Sequence, residues 1–223
     1  MKVVRNYLYN VGYQVLAIIV PLITSAYVSR VLRPEGVGAN AFTNSIIQYF
    51  ILFASMGIGY YGNRQIAYVR EDSHKMAQTF WEIQIVKTIM TLLSIIAFEI
   101  FMMFYTRQPE YMIAQSINLV AVAFDISWFY EGIEDFKVTV LKNSFVKLLS
   151  MVAIFSLIKG PYDVTLYIVV LAVSTLLGNL TLWPNIKKDL PKVNINILNP
   201  WRHFLPMAEY LFHNCYASIC SIK

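Results

Sequence analysis

Two uncharged apolar runs joined by a turn constrain this chain more than any other feature. Val11 to Val28 carries no charged side chain, and neither does Ala41 to Tyr61. Each has about the 20 residues needed to cross a bilayer core. Lipid offers the backbone no hydrogen-bond partners, so such runs must be helices. Between them lies Ser29–Gly38. Arg30, Pro34, Gly36 and Gly38 mark it as the turn, because proline fixes φ and glycine tolerates a reversal. Pro21 sits inside the first run and predicts a kink or hinge there.

The rest of the chain repeats this pattern. Only 14% of the 223 residues are charged and 57% are hydrophobic, whereas a soluble domain carries about 25% charged residues. The fold class that follows is an all-α integral membrane bundle of six spans. The spans fall at about 7–29, 41–61, 80–105, 111–130, 138–158 and 164–184. Residues 63–75 read as a charged loop with a short interfacial helix. A polar linker is expected over 185–202, and the start of a seventh span over 203–223. Lys2 and Arg5 before an apolar run resemble a signal peptide, but the run is long and further spans follow, which favours an uncleaved first span.

Orientation follows from the basic residues in the short loops. Eleven fall on the side of the N-terminus: Lys2, Arg5, Arg64, Arg70, Lys75, Lys137, Lys142, Lys187, Lys188, Lys192 and Arg202. Four fall opposite: Arg30, Arg33, Arg107 and Lys159. The expectation is a multi-pass protein of the cell (plasma) membrane with a cytoplasmic N-terminus. The formal charge of +5 does not indicate nucleic acid, since the basic residues make no stripe or tail.

No phosphate-binding glycine loop, nucleophile elbow or HExxH motif occurs, so an enzyme is not expected. His74, His203 and His213 are scattered, and Cys215 and Cys220 match no zinc or redox spacing. Neither a metal nor a cofactor is expected. The informative residues are the polar ones inside apolar runs, where a charge costs several kcal/mol unless it meets a cavity or a partner. Lys87 and Lys147 are candidate cavity cations, and Asp125 is a candidate counter-charge or proton site. Glu82 and Lys87 also have the plainer reading of snorkelling to the interface. Asn10 and Gln14, and Asn44 and Gln48, are two amide pairs at i, i+4, so each pair shares one helix face. Their alternatives are interhelical hydrogen bonds or a sugar-contacting wall.

The turn Ser29-Arg30-Val31-Leu32-Arg33-Pro34-Glu35-Gly36-Val37-Gly38 resembles the R-x-L-G-P-E-G-x-G turn of polysaccharide flippases. These are the Wzx-type O-antigen and capsule transporters of the multidrug/oligosaccharidyl-lipid/polysaccharide exporter superfamily. The resemblance continues through Ala41–Phe50 and Gly57–Ala67, and more loosely through spans 3 to 6. Arg33 stands where the family usually has glycine, so a positive φ there would strain an arginine. The resemblance implies 12 to 14 spans in two bundles around a central cavity, of which this chain is the N-terminal half and a truncated product. It implies export of undecaprenyl-pyrophosphate-linked oligosaccharide units for surface polysaccharide biosynthesis. The implied partners are the lipid-linked oligosaccharide and membrane lipids, with a polysaccharide polymerase or glycosyltransferases as further candidates. Alternatives are a drug/cation antiporter of the same superfamily, for which Glu99 and Asp125 supply acidic groups, and a non-transporting scaffold for polysaccharide assembly. A polyprenyl-phosphate enzyme would need an acidic surface cluster, and Glu131–Asp135 reads instead as a solvated loop.

Overall fold

The computed structural model describes residues 2–105, 107–191 and 198–209. Within these, the side chains of 2–10, 13–14, 16–17, 136–138, 141 and 187–189 lie outside the described set. The described residues are helical with no strand. In order they form α1 (Lys2–Val31), α2 (Arg33–Ser55), α3 (Ile58–Val69), α4 (Ser73–Phe104), α5 (Pro109–Ala123), α6 (Ser127–Gly132), α7 (Phe136–Leu157), α8 (Val164–Leu180) and α9 (Trp183–Asp189). Residues 201–209 add one more helical stretch.

Four stretches are long and apolar enough to cross a membrane: Arg33–Val69, Ser73–Phe104, Pro109–Gly132 and Val164–Ile186. Their outward faces are apolar, as membrane-spanning helices require. Met103 and Phe104 are 78% and 83% exposed, and Leu92 and Ile96 lie open on the same helix.

The structure corrects the expected turn. Ser29–Gly38 is helical on both sides of a single non-helical residue, Leu32. The reversal is made at Arg33, whose φ is 60°, and Pro34 follows in the first turn of α2. Gly36 serves packing rather than reversal. A Cβ there would lie 2.8 Å from Val164 Cγ2, so its absence lets α2 meet the start of α8. A Cβ on Gly38 would meet nothing within 4 Å. The helix α1 runs unbroken through Pro21.

Three expected spans are broken. The second ends at Ser55, because Met56 (φ 42°) and Gly57 (φ 73°) are both left-handed. Helix then resumes as α3 and continues to Val69 through part of the expected loop. The fourth breaks between α5 and α6. The sixth breaks after Leu180, and α9 extends helix into the expected linker. The third span begins earlier than its apolar run, because Asp72 caps it at Ser73: its Oδ1 accepts from the backbone N–H groups of His74 and Lys75, each at 3.1 Å. Those backbone donors hold the Asp72 carboxyl below its ordinary range.

The helices α5 and α8 lie against each other. Beside them α2 packs on α4 and α5, and α7 packs on α1 and α8. The short α3 crosses α6 closely, since a Cβ on Gly62 would meet the Trp128 ring at 2.5 Å and one on Gly132 would meet Ile66 at 2.7 Å. Around that crossing lies the largest apolar cluster, built from Phe80, Ile83, Trp128, Phe129 and Tyr130 with Met207 from the 201–209 helix. Two smaller clusters join α2 to α4–α5, and α1 to α7–α8.

Candidate functional site

A groove of about 510 Å³ lies between α1, α7 and α8. Helical periodicity builds each wall. From α7, Asn143, Lys147, Ser150 and Ile154 fall on one face; from α8, Tyr167, Leu171, Ser174 and Thr175 do so; from α1, Val20, Pro21, Thr24 and Ser25. The lining therefore mixes aliphatic and aromatic surface with amides, hydroxyls and a single cation, Lys147. Its hydroxyls donate back to their own helices: Thr24 to the Val20 carbonyl at 2.9 Å, Ser150 to Lys147 at 2.8 Å, Ser174 to Val170 at 2.6 Å and Thr175 to Leu171 at 3.0 Å. Their hydrogens are engaged while their oxygens remain able to accept. Such oxygens match the O–H donors of a sugar, and a lysine matches an anionic head group.

Lys87 and Asp125 are placed elsewhere. Lys87 is 2% exposed, and its Nζ donates to the backbone carbonyl of Asp125. The Asp125 carboxylate lies 3.6 Å from that Nζ, and its Oδ1 accepts from the Ser127 N–H at 3.0 Å. This pair belongs to the break between α5 and α6. Where a helix stops, its last carbonyls lose their intrahelical donors, and here side chains replace them. Asn179 donates to Ala121 (2.7 Å), Gln84 to Ala123 (2.8 Å), Trp183 to Phe124 (2.8 Å) and Lys87 to Asp125. Among these residues Asn179 also lines the groove, so the groove wall and the break share a residue. The structure does not bring Lys87 and Lys147 together.

Asn44 and Gln48 do share a face of α2, joined by a 3.4 Å contact from Gln48 Nε2 to Asn44 Oδ1. With Ser45, Tyr49 and Ser55 they line an open depression on the outer side of that helix. Asn10 and Gln14 fall one turn apart on α1, and their side chains are outside the described set. Arg30 and Pro34 are exposed at the α1–α2 turn.

Sequence reasoning missed a second polar centre. Glu82 does not snorkel: it is fully buried. It accepts from Gln78 (2.9 Å) and from the Asn199 N–H (2.9 Å), and it pairs with Arg202 (2.7 Å) and His203 (2.8 Å). The ring of His203 also meets the Tyr61 hydroxyl at 2.7 Å. Gln84, Asn179 and Glu82 were visible as polar residues inside apolar runs. Apart from Gln78, what they bind lies 39 to 121 residues away, beyond any local pattern. Among the described residues no group of His, Cys, Asp and Glu is arranged to hold a metal ion.

The family model described as "Polysaccharide biosynthesis protein" matches residues 3–220. The "Putative O-antigen transporter" of Escherichia coli (strain K12) is 24% identical over 165 residues, which is 73% of this chain and 40% of that protein. This chain thus aligns with well under two thirds of that relative's length. No solved structure matches it significantly. With a match over nearly its whole length, the chain belongs to the polysaccharide biosynthesis protein family of membrane proteins.

Proposed function

We propose that this chain serves the export of lipid-linked oligosaccharide units across the cell membrane, and that the groove between α1, α7 and α8 contacts the unit's head group. Its first 184 residues form a six-helix bundle in this reading. Residues 185–202 link it to a further helix, and the N-terminus is cytoplasmic. The loop-charge asymmetry supports that orientation. The family match supports the process, and the substrate class is in keeping with the name of the Escherichia coli relative. The observation that carries the placement is the groove lining. An undecaprenyl-pyrophosphate sugar carries an anion, a set of hydroxyls and a long apolar tail. Lys147 suits the anion, Asn143 and the acceptor oxygens of Ser150, Ser174 and Thr175 suit the hydroxyls, and Val20, Ile154 and Leu171 suit the tail.

The test is photo-crosslinking in membranes containing the lipid-linked oligosaccharide. A benzophenone amino acid replaces Leu171 in the groove or, as a control, Leu93 on the outward face of α4. Adduct at position 171 that is diminished by Lys147→Gln is the expected result. Equal labelling at 171 and 93, or labelling at 171 indifferent to Lys147→Gln, overturns the placement.

A further inference from the structure

Helix α3, helix α4 and the segment 198–209 converge on one polar centre, in which Tyr61, Glu82 and His203 are buried and Arg202 lies half exposed at the rim. We infer that His203 is a proton-binding site, and that its occupancy sets how firmly residues 198–209 dock on α3 and α4. This inference is independent of the transport reading.

The hydrogen-bond inventory bounds the resting state. An ionised carboxylate only accepts. Both Glu82 oxygens are taken, Oε1 by Gln78 and the Asn199 N–H, Oε2 by Arg202 and His203 Nε2. Arg202 Nε–H also points at His203 Nε2, 3.1 Å away, so the neutral ring has two tautomers: Nε2–H donating to Glu82, or a bare Nε2 accepting from Arg202. In the first the Tyr61 hydroxyl, 2.7 Å away, donates to Nδ1; in the second it accepts from Nδ1–H. The Glu82 and Arg202 charges balance, and the centre is neutral.

A proton from water adds at whichever ring nitrogen lacks one. The ring then donates from both nitrogens, and the Tyr61 hydroxyl accepts. No heavy atom moves and no covalent bond other than N–H forms. With Nε2 protonated, placing the proton on Glu82 instead adds a fifth hydrogen among four donors, with nothing to receive it. The titratable groups facing the ring are Tyr61 from α3, Glu82 from α4 and Arg202 from its own segment.

Uptake leaves a net positive charge shared between the buried ring and the half-exposed Arg202. Arg202 Nε is 3.1 Å from His203 Nε2, so two cations become neighbours. Burial pushes the imidazole below its ordinary value of 6.5, the Glu82 hydrogen bond opposes this, and the Arg202 charge adds to it. The sign follows directly. A histidine depressed in the docked state favours docking while neutral, so docking is strongest above the ordinary histidine value and weakens as pH falls. Met207 and Phe204 still hold the segment by apolar packing, so the response is loosening rather than release.

The test uses the whole chain in phospholipid nanodiscs. The ¹⁵N shifts of labelled histidine are followed from about pH 8 to pH 5. Since the chain has three histidines, His203→Gln assigns the signal. Amide hydrogen exchange, corrected for intrinsic rates, is read over the same range. A His203 signal that titrates, with loss of protection over 199–209 on acidification that disappears in His203→Gln, is the expected result. Tyr61→Phe removes the acceptor for Nδ1–H and shifts the titration to lower pH. A His203 signal constant across the range, protection that does not change with pH, or equal loosening in His203→Gln overturns the inference. Should His203→Gln not fold, an unshifted titration in Tyr61→Phe overturns it.

Discussion

Replacing Lys87 with methionine tests whether an intramembrane charge is there for its charge or for its reach. Lys87 makes two contacts: with the backbone carbonyl of Asp125, the nearer, and with the Asp125 carboxylate at 3.6 Å. Methionine fills similar volume and removes both. The carbonyl then sits at a helix break without a donor, which costs about 1–3 kcal/mol. The carboxylate loses an ion partner but keeps the Ser127 N–H, and its side chain is 36% exposed. It is only partly buried, so its loss falls well short of the several kcal/mol seen for a fully buried pair. The capping contact therefore dominates, and Lys87→Met is expected to destabilise by about 2–3 kcal/mol. Asp125→Asn retains an oxygen for Ser127 and leaves the backbone carbonyl untouched, so it should cost under about 1 kcal/mol. The double variant should match Lys87→Met alone. Reversible SDS unfolding of the four proteins in mixed micelles, monitored by far-ultraviolet circular dichroism, gives the cycle. If Asp125→Asn is as damaging as Lys87→Met, and restores stability in the double variant, the ion pair rules and the capping argument fails.

Three further outcomes follow from local geometry. Arg33→Gly should stabilise by roughly 0.5–1 kcal/mol, because φ 60° strains an arginine but not a glycine; SDS unfolding that shows no gain refutes this. Gly62→Ala should destabilise by about 1–3 kcal/mol, because its Cβ would stand 2.5 Å from the Trp128 ring; a matching loss is expected in tryptophan emission changes at the α3–α6 crossing. At the α7–α8 turn, Asp163 accepts from the backbone N–H groups of Lys159 and Gly160, each at 2.8 Å, and these hold its carboxyl below 3.8. Its contribution is complete above the ordinary carboxylate value and fades as pH falls through the lower folded one. Amide exchange at Lys159 and Gly160 should therefore accelerate on strong acidification, and Asp163→Asn should abolish that dependence.

The helices were legible from apolar run length because lipid leaves the backbone no other solution. Their interruptions were not. Met56 and Gly57 break an uninterrupted apolar run, and nothing in composition separates that glycine from Gly59, which stays helical. The break at 124–126 is held open by donors from α4, α8 and α9, so it is a tertiary property. The turn signature pointed to the right place for the reversal, and Arg33 in the family's glycine position to the strained residue, but it misread the role of Gly36. Arg33 makes it, while Gly36 is small for the sake of Val164. For the site, among predicted residues with described side chains, Lys147 and Pro21 line the main groove. The amides at Asn44 and Gln48 lie on an outward face instead. Lys87 and Lys147 look alike in a hydropathy window, and only their neighbours separate them.

That separation changes how intramembrane charge in this chain is to be read. Helix α4 carries Glu82 and Lys87 five residues apart, and neither opens onto the groove. Glu82 gathers the chain that follows the linker, and Lys87 caps the break in the α5–α6 span. Both charges are met in full by partners on other elements, which is how a buried ion is made tolerable. Because one rigid helix holds both contacts, displacement of the 198–209 segment and repacking of the α5–α6 break act on the same rod. Asn179 joins that break to the groove wall from α8. The chain thus carries two polar centres on α4: one at Tyr61, Glu82, Arg202 and His203 that includes an ion pair, and one at the α5–α6 break that Asn179 joins to the groove wall. The contacts at the break are mostly side chain to carbonyl bonds, which depend on position more than on ionic strength, so salt should leave that break nearly unchanged while small shifts of α4 are felt in the groove.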